Sequence, residues 1–360
     1  MSNIADIDKN FKIETKIAKN DIVFYDASKE PFVVYGAYYE DGMFRRIPES
    51  VAKATSEGVY NLSMFPAGAR LKFKTDSPYF AIKVVLDNVS MTAHGSVLGA
   101  SGFDLYEKRD GSEIYVQSLL PPVDGFSIEM MKNGYESVID FAENKTHELT
   151  LNFPRYCTVK ELYIGLADGA SVLPPEPHKY EKPIIYYGSS ITQGGCASRP
   201  GNGYQNIISR RLDCNYINLG FSGNAKGEPA IYDYIKDLDM SIFVYDYDHN
   251  APTIEHLRKT HEPMFKAIRK ARPDLPIVMM SRPQFVLTEA EKERFEIIRT
   301  TYQNAVDAGD KNVYFIPGSE LMKYAGNDGT VDNCHPNDLG FHSMARVLGD
   351  LLEQLLTQGE

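Results

Sequence analysis

Hydrophobic and polar positions alternate over short stretches in the first half of the chain. Segments such as "ARLKFKTDSPYFAIKVVLD" and "ELTLNFPRYCTVKELYIGL" consist of β-prone residues broken by turn residues. In the first segment, alternate residues point to opposite faces of the predicted strand. Leu71, Phe73 and Thr75 lie on one face, and Lys72 and Lys74 lie on the other. This pattern is typical of a half-buried antiparallel sheet, and no convincing amphipathic helix interrupts the strands. This pattern therefore predicts that residues 1–170 form an antiparallel β-sandwich of the jelly-roll type.

A proline-rich stretch separates this half from the rest of the chain. The segment "ASVLPPEPHKYEKP", residues 170–183, contains four prolines among mainly polar residues. Such a composition is stiff and extended and buries little apolar surface. We expect residues 171–182 to form a linker between two domains.

Apolar runs alternate with helix-like stretches beyond the linker. Five strand-then-helix pairs follow one another: "PIIYYG" before "GYQNIISRRL", "CNYINLG" before "EPAIYDYIKDL", "SIFVYDY" before "TIEHLRKTHEPMFKAIRKA", "PIVMMS" before "TEAEKERFEIIRTTYQNAVDAG", and "VYFIPG" before "DLGFHSMARVLGDLLEQLL". Five such units predict a doubly wound parallel sheet with helices on both faces, a three-layer α/β domain over residues 183–360. Ligands of these sheets bind beyond the carboxyl ends of the strands, so the loops after the strands are the candidate functional segments.

Composition and charge narrow the classes of partner. With 43% hydrophobic and 24% charged residues, the 360-residue chain has the composition of a soluble globular protein. Its net charge of −11 argues against a nucleic-acid partner and against anionic membranes. No apolar core of a signal peptide and no membrane-spanning run is found, and the four cysteines lack a CxxC spacing. We expect a cytoplasmic protein with reduced thiols; the pattern does not specify an oligomeric state.

The loop after the first strand of the second half is "GSSITQGG", with adjacent hydroxyls at Ser189 and Ser190. It lacks the lysine of a phosphate-binding Walker loop and the GxGxxG dinucleotide fingerprint. Taken alone, the segment fits a turn and helix cap better than a nucleophilic serine. The other strand-end loops decide between these interpretations.

Two further loops carry residues suited to acyl transfer. In "NLGFSGN", Gly223 leaves backbone amides unshielded, an arrangement that can donate to an oxyanion. In "VDNCHPN", Asp332 and His335 are three residues apart, so the carboxylate can hold one imidazole nitrogen and leave the other free. A serine nucleophile needs a base oriented in this way.

The loop after the third strand of this half, "YDYDHNAP", is the most polar and allows three interpretations. The side-chain amide of Asn250 can donate to a developing negative charge. Alternatively, Asp246, Asp248 and His249 offer carboxylate and imidazole ligands for a catalytic zinc or manganese. The acidic residues can also simply cap the following helix.

Taken together, the four loops resemble the four blocks of the SGNH (GDSL) hydrolase superfamily, which carry Ser, Gly, Asn and His in that order. The resemblance places the nucleophile on Ser190 and the other triad members on Asp332 and His335. It places the oxyanion hole on the amides of Ser190 and Gly223 and on the side chain of Asn250.

The first and third blocks depart from the family pattern. Ser189 stands where the family usually has an aspartate, Asp248 stands at a usual glycine, and Ala251 stands at a second usual aspartate. Upstream, "SGFDLY" at residues 101–106 resembles the Gly-x-Asp-Leu-Tyr signature of an N-terminal β-domain fused to such hydrolases.

The resemblance implies a serine esterase that uses no metal or other cofactor. A β-sandwich fused to such a hydrolase is the arrangement of carbohydrate acetyl esterases. By that analogy, we expect the substrate to be a small-molecule or oligosaccharide ester with a short acyl group, acetyl being preferred.

Three alternatives stay open at this point. The first is a metal-dependent phosphoesterase built on Asp246, Asp248, His249 and His335. The second is a lipase-like esterase of the same superfamily, although no long apolar lid is evident. The third is a binding module that has kept the fold and lost catalysis.

The remaining candidate side chains are expected to be structural. Six histidines have no partner at metal-ligand spacing in the sequence and are predicted to be structural or solvated: His94, His147, His178, His256, His261 and His342. Cys334, between the two triad residues, is predicted to be a small buried filler.

Overall fold

The computed structural model describes residues 13–121 and 131–358. Within these residues, antiparallel strands form the first half of the chain, and a parallel sheet between two layers of helices forms the second. The predicted fold class, a β-sandwich followed by a three-layer α/β domain, is confirmed.

Two antiparallel sheets pack face to face in the first domain. One sheet has the order β1-β11-β6-β9 and consists of β1 (Ile22–Asp26), β6 (Tyr79–Asp87), β9 (Tyr135–Asp140) and β11 (Thr158–Ala167). The other has the order β12-β5-β10-β7-β8, with β2 also paired to β5, and consists of β2 (Val33–Tyr35), β5 (Arg70–Thr75), β7 (Phe103–Arg109), β8 (Ser112–Leu119), β10 (His147–Asn152) and β12 (Val172–Leu173). A short hairpin is formed by β3 (Tyr38–Glu40) and β4 (Met43–Arg45). The apolar residues between the sheets form one continuous core.

Strand β5 is covered on both faces, which differs from the half-buried strand predicted. Leu71 and Phe73 point into the sandwich core and are fully buried, as the alternation predicts. Lys72 on the opposite face is also buried, at 2% exposure, and its ammonium lies 3.1 Å from Glu113 of β8. This polar face is buried because it packs against the second domain, where Asn206 donates to Asn152 of β10 at 2.9 Å.

Short helices occur in the first half, where none was predicted. They are α1 (Glu49–Thr55), α2 (Glu57–Ser63) and α3 (Val97–Ser101). Seven or fewer residues are too few to show a helical period, so the pattern did not indicate them. The Ser56 hydroxyl accepts the Val59 amide as the N-cap of α2. Ala52 and Val59 join the core of the second domain, so these helices belong spatially to the parallel sheet.

The second domain contains the five predicted strand-then-helix units. Its strands are β13 (Tyr180–Gly188), β14 (Cys214–Gly220), β15 (Ile242–Asp246), β16 (Ile277–Met280) and β17 (Val313–Ile316). Its helices are α4 (Ser190–Gln193), α5 (Tyr204–Leu212), α6 (Pro229–Asp237), α7 (Ile254–Ala271), α8 (Glu289–Asp307), α9 (Gly318–Leu321) and α10 (Asp338–Gln358), with 3₁₀ turns at Pro200–Asn202 and Gly326–Gly329. Within the described residues, no helix is both long and apolar enough to cross a membrane.

The order β14-β13-β15-β16-β17, with all strands parallel, places β13 between the two strands that follow it in the chain. Ile184 and Tyr186 of β13 pack under α5 and α10, while Ile185 and Tyr187 pack under α6 and α7. The connections after β13 and β14 leave in opposite directions, which opens a crevice at the carboxyl ends of the central strands.

The proline-rich segment connects the two sheets. Val172 and Leu173 pair with Thr75 and Lys74 at the edge of the sandwich, and Tyr180 pairs with Cys214 at the start of the parallel sheet. The prolines between these pairings therefore span the boundary of the two domains.

Candidate active site

The two adjacent serines after β13 have different roles in the local structure. Ser189 is the N-cap of α4, and its hydroxyl accepts the Ile191 amide at 3.1 Å. Ser190 is the first residue of that helix, and only 7% of it is exposed. The helix-cap interpretation of the loop therefore applies to Ser189. The Ser190 hydroxyl does not cap the helix and can hydrogen-bond to another group.

That partner is His335, which lies 145 residues further along the chain. The Ser190 Oγ and His335 Nε2 atoms are 2.9 Å apart, and His335 Nδ1 is 2.7 Å from an oxygen of Asp332. An ionised carboxylate can only accept, so Nδ1 carries the proton and Nε2 is free to accept from the Ser190 hydroxyl. The structure thus brings together the three residues predicted to form the triad.

The loop before α10 is built around the Asp332 carboxylate. Its other oxygen accepts the backbone amides of Cys334 at 3.0 Å and His335 at 2.7 Å. Burial by itself raises the pKa of Asp332, but the hydrogen bonds from His335 outweigh it, so the pKa of this carboxyl lies below its ordinary value. The neighbouring Cys334 sulfur, and then the Asp332 carboxylate, raise the pKa of His335 above 6.5 against the effect of burial.

The residues predicted for the oxyanion hole lie in the segments that follow β13, β14 and β15, at the carboxyl ends of these strands. The Ser190 amide is at the first position of α4, where it has no acceptor within the helix. Gly223 is exposed, has a φ of +68°, and leaves open space where a side chain would stand. Asn250 donates one side-chain hydrogen to the Phe221 carbonyl at 3.2 Å, which ties the third loop to the second and leaves its other amide hydrogen available.

The acidic residues of the third loop do not assemble with His335. Asp246 lies under the nucleophile loop, where it accepts the Thr192 hydroxyl and, at 3.4 Å, the Ser189 hydroxyl. Asp248 accepts both the backbone and Nδ1 of His249 at 2.9 Å and the Arg282 amide at 3.0 Å. Both carboxylates thus have protein donors. Among the described residues, neither belongs to a group of three metal-ligand atoms within 4.8 Å of one another.

Burial raises the pKa of the Asp246 carboxyl group far above its ordinary value. The side chain is buried, and desolvation raises the pKa of Asp246 to about 7 even though Ser189 and Thr192 hydrogen-bond to it. The Ser189 and Thr192 hydroxyls therefore occupy the polar side of this carboxyl group, next to the nucleophile.

The first domain supplies one wall of the pocket beside His335, a contribution that the sequence did not indicate. A cavity of about 50 Å³ lies next to His335. Its other lining residues come from both domains: Ser90, Met91, Thr92, His94, Gly95, Ser96, Gly99, Ala100 and Tyr156 from the first, and Gly194, Gly195, Cys196, Ala197 and Ser222 from the second.

Two side chains at this pocket have contacts that the sequence did not indicate. His94 is exposed, in line with the prediction of a structural or solvated histidine. Its ring also stacks on that of His335, with the ring centroids 5.2 Å apart and an interplanar angle of 23°. Cys334 was expected to be a buried filler, yet it is half-buried and its amide donates to Asp332. The His94 contact has no local sequence signal, because His94 belongs to a loop of the other domain.

Four of the other histidines are structural, as predicted. Each hydrogen-bonds to a polar group away from the pocket: His147 to Glu107, His178 to Asp213, His256 to the Lys226 carbonyl and His261 to Thr301.

Two buried arginines of the first domain hold the loops that carry the candidate residues. Arg155 donates to the Gln193 carbonyl of α4 at 2.8 Å and to the Pro200 carbonyl at 3.0 Å. Arg46 donates to the Gly220 carbonyl at 2.7 Å, and its guanidinium lies over the Phe221 ring. Burial lowers the pKa of Arg46 to about 9. The guanidinium donors therefore satisfy carbonyls that would otherwise be buried without partners.

The Gly-x-Asp-Leu-Tyr segment has a related structural role. Asp104 accepts the Arg199 guanidinium at 2.9 Å and the Gly201 amide at 2.8 Å. It also accepts the side-chain amide of Asn152 at 2.8 Å. The aspartate of the signature thus binds the chain that follows α4 to the sandwich.

Comparisons with known proteins agree with this architecture. Residues 181–353 match the family model of GDSL-like lipases and acylhydrolases. Residues 22–172 match the GxDLY model, described as the N-terminus of SGNH hydrolase-type esterases. A sequence search of curated proteins finds no significant match.

Solved structures resemble the chain over both domains. A protein from Bacteroides ovatus described as a GDSL-like lipase superposes with a TM-score of 0.82 at 28% identity, covering 93% of this chain and 98% of its own. The salicylyl acyltransferase SsfX3 of a tetracycline biosynthetic pathway superposes with a TM-score of 0.73 at 18% identity, covering 92% and 98%. A family two carbohydrate esterase from Cellvibrio japonicus superposes with a TM-score of 0.62 at 12% identity, covering 94% and 99%.

The fold and these matches define the class of the protein: it is a carboxylic ester hydrolase with an α/β domain of SGNH type behind an N-terminal β-sandwich. More particularly, residues 181–353 belong to the GDSL-like lipase/acylhydrolase family, and residues 22–172 form the GxDLY type of N-terminal domain.

Proposed function

We propose that the protein is a serine esterase that removes a short acyl group, acetyl in the first instance, from a carbohydrate ester. The observation that carries the proposal is the continuous chain of hydrogen bonds from Ser190 through His335 to Asp332, with lengths of 2.9 and 2.7 Å. A neutral hydroxyl becomes a nucleophile when a base of this kind receives its proton.

In the acylation step, His335 Nε2 takes the Ser190 proton while Oγ attacks the ester carbonyl carbon. Asp332 stabilises the imidazolium that forms and keeps the ring in its orientation. The proton then passes from His335 to the leaving alcohol oxygen as the ester C–O bond breaks. Water, activated by the same imidazole, attacks the acyl-enzyme and regenerates the Ser190 hydroxyl.

Negative charge on the carbonyl oxygen would be held by the amides of Ser190 and Gly223 and by the side chain of Asn250. Each donor of this kind contributes on the order of 3 kcal/mol to the transition state. The buried guanidinium of Arg46 supports the same loop, since it binds the Gly220 carbonyl at the end of β14.

The size of the pocket supports a short acyl group. Its cavity of about 50 Å³ has room for only a few water molecules, since a cavity needs roughly 10–15 Å³ to hold one. The small residues Gly194, Gly195 and Ala197 and the opposite loop of the first domain form its walls. A long acyl chain, as a lipase substrate has, would extend beyond this cavity.

The carbohydrate part of the proposal is supported by architecture. The Cellvibrio japonicus carbohydrate esterase has the same two-domain fold over nearly its whole length. In this chain both domains line the pocket. The sugar of an ester attacked by Ser190 would therefore contact the sandwich loop that carries His94.

An acyl-release screen tests the proposal. Acetylated sugars, an aryl acetate, the corresponding aryl octanoate and a triglyceride are compared with wild-type protein, with Ser190→Ala, and with Ser189→Ala as the matched control. We expect acetate release from sugars and from the aryl ester, a much lower kcat/KM for octanoate, and loss of activity only in Ser190→Ala. Equal rates for octanoate and acetate would contradict the short-acyl assignment, and unchanged activity in Ser190→Ala would contradict the mechanism.

A further inference from the structure

Three side chains of the types that bind zinc converge at the active-site pocket. A nitrogen of His94, the sulfur of Cys196 and a nitrogen of His335 all lie within 4.8 Å of one another. They come from three separate segments, namely the loop between β6 and α3, the loop after α4 and the loop before α10. Two imidazoles and a thiolate are a ligand set that zinc favours, with a fourth position open to water.

The three ligand atoms, which lie within 4.8 Å of one another, have to close by about 1 Å at most to bind one ion. Zinc binds imidazole nitrogen at about 2.0 Å and thiolate sulfur at about 2.3 Å, so tetrahedral ligand atoms stand roughly 3.5 Å apart. His94 has room to close the difference, since 40% of its side chain is exposed. Its ring stacks on that of His335 and has to turn to bind the same ion, because an imidazole nitrogen coordinates in the plane of its ring.

The groups around the three ligand atoms orient His335 and supply negative charge. Asp332 is hydrogen-bonded to His335 at 2.7 Å, the carboxylate–histidine arrangement that orients an imidazole ligand toward a metal. The same carboxylate is 4.0 Å from His94. A Cys196 thiolate and the Asp332 carboxylate together carry two negative charges, which balance a divalent cation in this half-buried site.

We propose that His94, Cys196 and His335 form a zinc-binding site that reversibly inhibits the enzyme. Binding releases the Cys196 proton to solvent and forms one metal–sulfur and two metal–nitrogen bonds, without oxidation or reduction. Each nitrogen of His335 has a partner in the proposed triad, since Nε2 faces Ser190 and Nδ1 faces Asp332. Whichever nitrogen coordinates zinc is therefore withdrawn from the triad. The inhibition, though not the binding, rests on the proposed function.

A neighbouring set, formed by Asp332, Cys334 and His335, also lies within 4.8 Å. It is the weaker candidate because it lies within one short turn, where Asp332 already accepts two backbone amides and His335 Nδ1. Replacement of Cys334 distinguishes this set from the proposed one, since Cys334 belongs only to the neighbouring set.

The binding test uses Co²⁺ as a spectroscopic substitute for zinc, on full-length protein carrying Ser190→Ala so that activity plays no part. We expect one equivalent of Co²⁺ to produce a thiolate-to-metal charge-transfer band and the intense visible bands of a tetrahedral ion. Adding Cys196→Ala should abolish the charge-transfer band, and adding His94→Ala should weaken binding at least about tenfold. Adding Cys334→Ala, or His342→Ala at an exposed histidine of α10, should leave the spectrum unchanged.

The inhibition test compares, for each variant with an intact Ser190, the activity with and without added zinc chloride. We expect inhibition of the wild type, the Cys334→Ala variant and the His342→Ala variant. Cys196→Ala and His94→Ala should need at least about tenfold more zinc for the same fractional loss. The proposal is overturned if Cys196→Ala is as sensitive as the wild type, or if the charge-transfer band depends on Cys334. An inactive wild type with an intact cobalt spectrum would instead count against the esterase function while supporting the metal site.

Discussion

Ser189 and Ser190 are neighbours in the chain, but their hydroxyl groups have different partners. Ser189 accepts an amide of α4 and lies 3.4 Å from the buried Asp246, whereas Ser190 faces His335. Where the family usually has an aspartate, this chain has a serine, with the carboxyl group of Asp246 directly beneath it. A single loop thus contains both a structural and a candidate catalytic hydroxyl.

The titration of His335 predicts the acidic limb of the pH profile. The imidazole must be neutral to accept the Ser190 proton, so activity falls as the pH drops through the His335 pKa, which is raised above 6.5 by Cys334 and then by Asp332. Removing either group should lower that pKa and move the acidic limb of kcat/KM to lower pH. We expect Cys334→Ala to shift the acidic limb while the pH-independent value of kcat/KM changes little. Asp332→Asn should shift the limb and also lower the pH-independent kcat/KM by about 10³-fold or more. A limb that stays in place or moves to higher pH in both variants would be inconsistent with these contacts.

Asp246 predicts a pH dependence of stability. Its pKa is raised from 3.8 to about 7, so between these values the folded protein binds more protons at this site than the unfolded chain. The free energy of unfolding therefore loses a contribution from Asp246 as the pH rises from about 4 to about 7. The Asp246→Asn variant lacks this titration. Relative to the wild type it should gain stability over that range, on the order of 3 kcal/mol in total.

Urea unfolding of both proteins at pH 4.5 and 7.5 measures this difference, and Asp310→Asn at a half-buried ion pair with Arg269 is a suitable comparison. A constant difference between Asp246→Asn and the wild type across this range would show that the pKa of Asp246 is not raised.

Ser190, Asp332 and His335 were predictable as candidates because Ser190 follows the first strand of the parallel sheet and the other two lie in the loop before its last helix. Parallel strands bring their carboxyl ends to one edge, so such loops meet in space even when they are far apart in the chain. His94 and Arg155 could not be found in this way. They reach the site across a domain interface, and no local period or spacing encodes that interface.

At the scale of elements, short connections decide the geometry of the site. Helix α4 has only four residues, and its ends are tied to the rest of the molecule by side chains. Arg155 holds the Gln193 carbonyl, and the Gln193 side chain accepts the Ser222 amide at 2.9 Å, which joins the loops after β13 and β14. The proposed nucleophile Ser190 and the loop of the proposed oxyanion glycine Gly223 are therefore positioned by one network.

The long strands and helices of the second domain were predictable, whereas α1 and α2 were not. A strand buried on both faces, such as β15, shows as an apolar run, and α10 has 21 residues over which a period can emerge. Seven-residue helices carry no such signal. The polar face of β5 was taken for a solvated face, because lysine at alternate positions has the same pattern whether it meets water or another domain.

The Arg155→Ala substitution tests the role of this network. It removes donors from the Gln193 and Pro200 carbonyls and from the Asn206 side chain, all of them buried. We expect a loss of about 3 kcal/mol or more in the free energy of unfolding, together with a lower kcat, because α4 carries Ser190. Arg258→Ala, at an exposed arginine of α7 paired with Glu255 and Glu293, should cost less than about 1 kcal/mol.

Chemical denaturation and steady-state kinetics of the two arginine variants provide the readout. Equal small losses of stability in both, with kcat unchanged in Arg155→Ala, would show that the buried guanidinium does not hold the nucleophile loop.

At the scale of the whole molecule, the two domains share both core and active site. Ile47, Ala52 and Val59 of the first half pack in the apolar core beside the parallel sheet, and the sandwich loop carrying His94 closes the pocket. The interface is also densely polar, with buried arginines and the Asp104 contacts described above. The sandwich is therefore a structural part of the hydrolase rather than an independent attachment.

Separating the domains should consequently abolish cooperative folding of the second one. A fragment of residues 181–358 would expose the apolar surface under α1 and α2 and leave several buried carbonyls without donors. We expect no cooperative thermal transition and no esterase activity from this fragment, compared with full-length protein in the same buffer. A fragment that unfolds cooperatively and keeps wild-type kcat/KM would refute the structural role assigned to the sandwich.

Covalent labelling with a fluorophosphonate, read by intact mass and by peptide mapping, tests most directly whether Ser190 is the nucleophile. We expect one adduct per chain on Ser190, retained in Ser189→Ala, absent in Ser190→Ala, and formed more slowly in Asp332→Asn. A reactive wild type whose adduct lies on another residue, or a wild type that hydrolyses esters without being labelled, would contradict the assignment of Ser190 as the nucleophile.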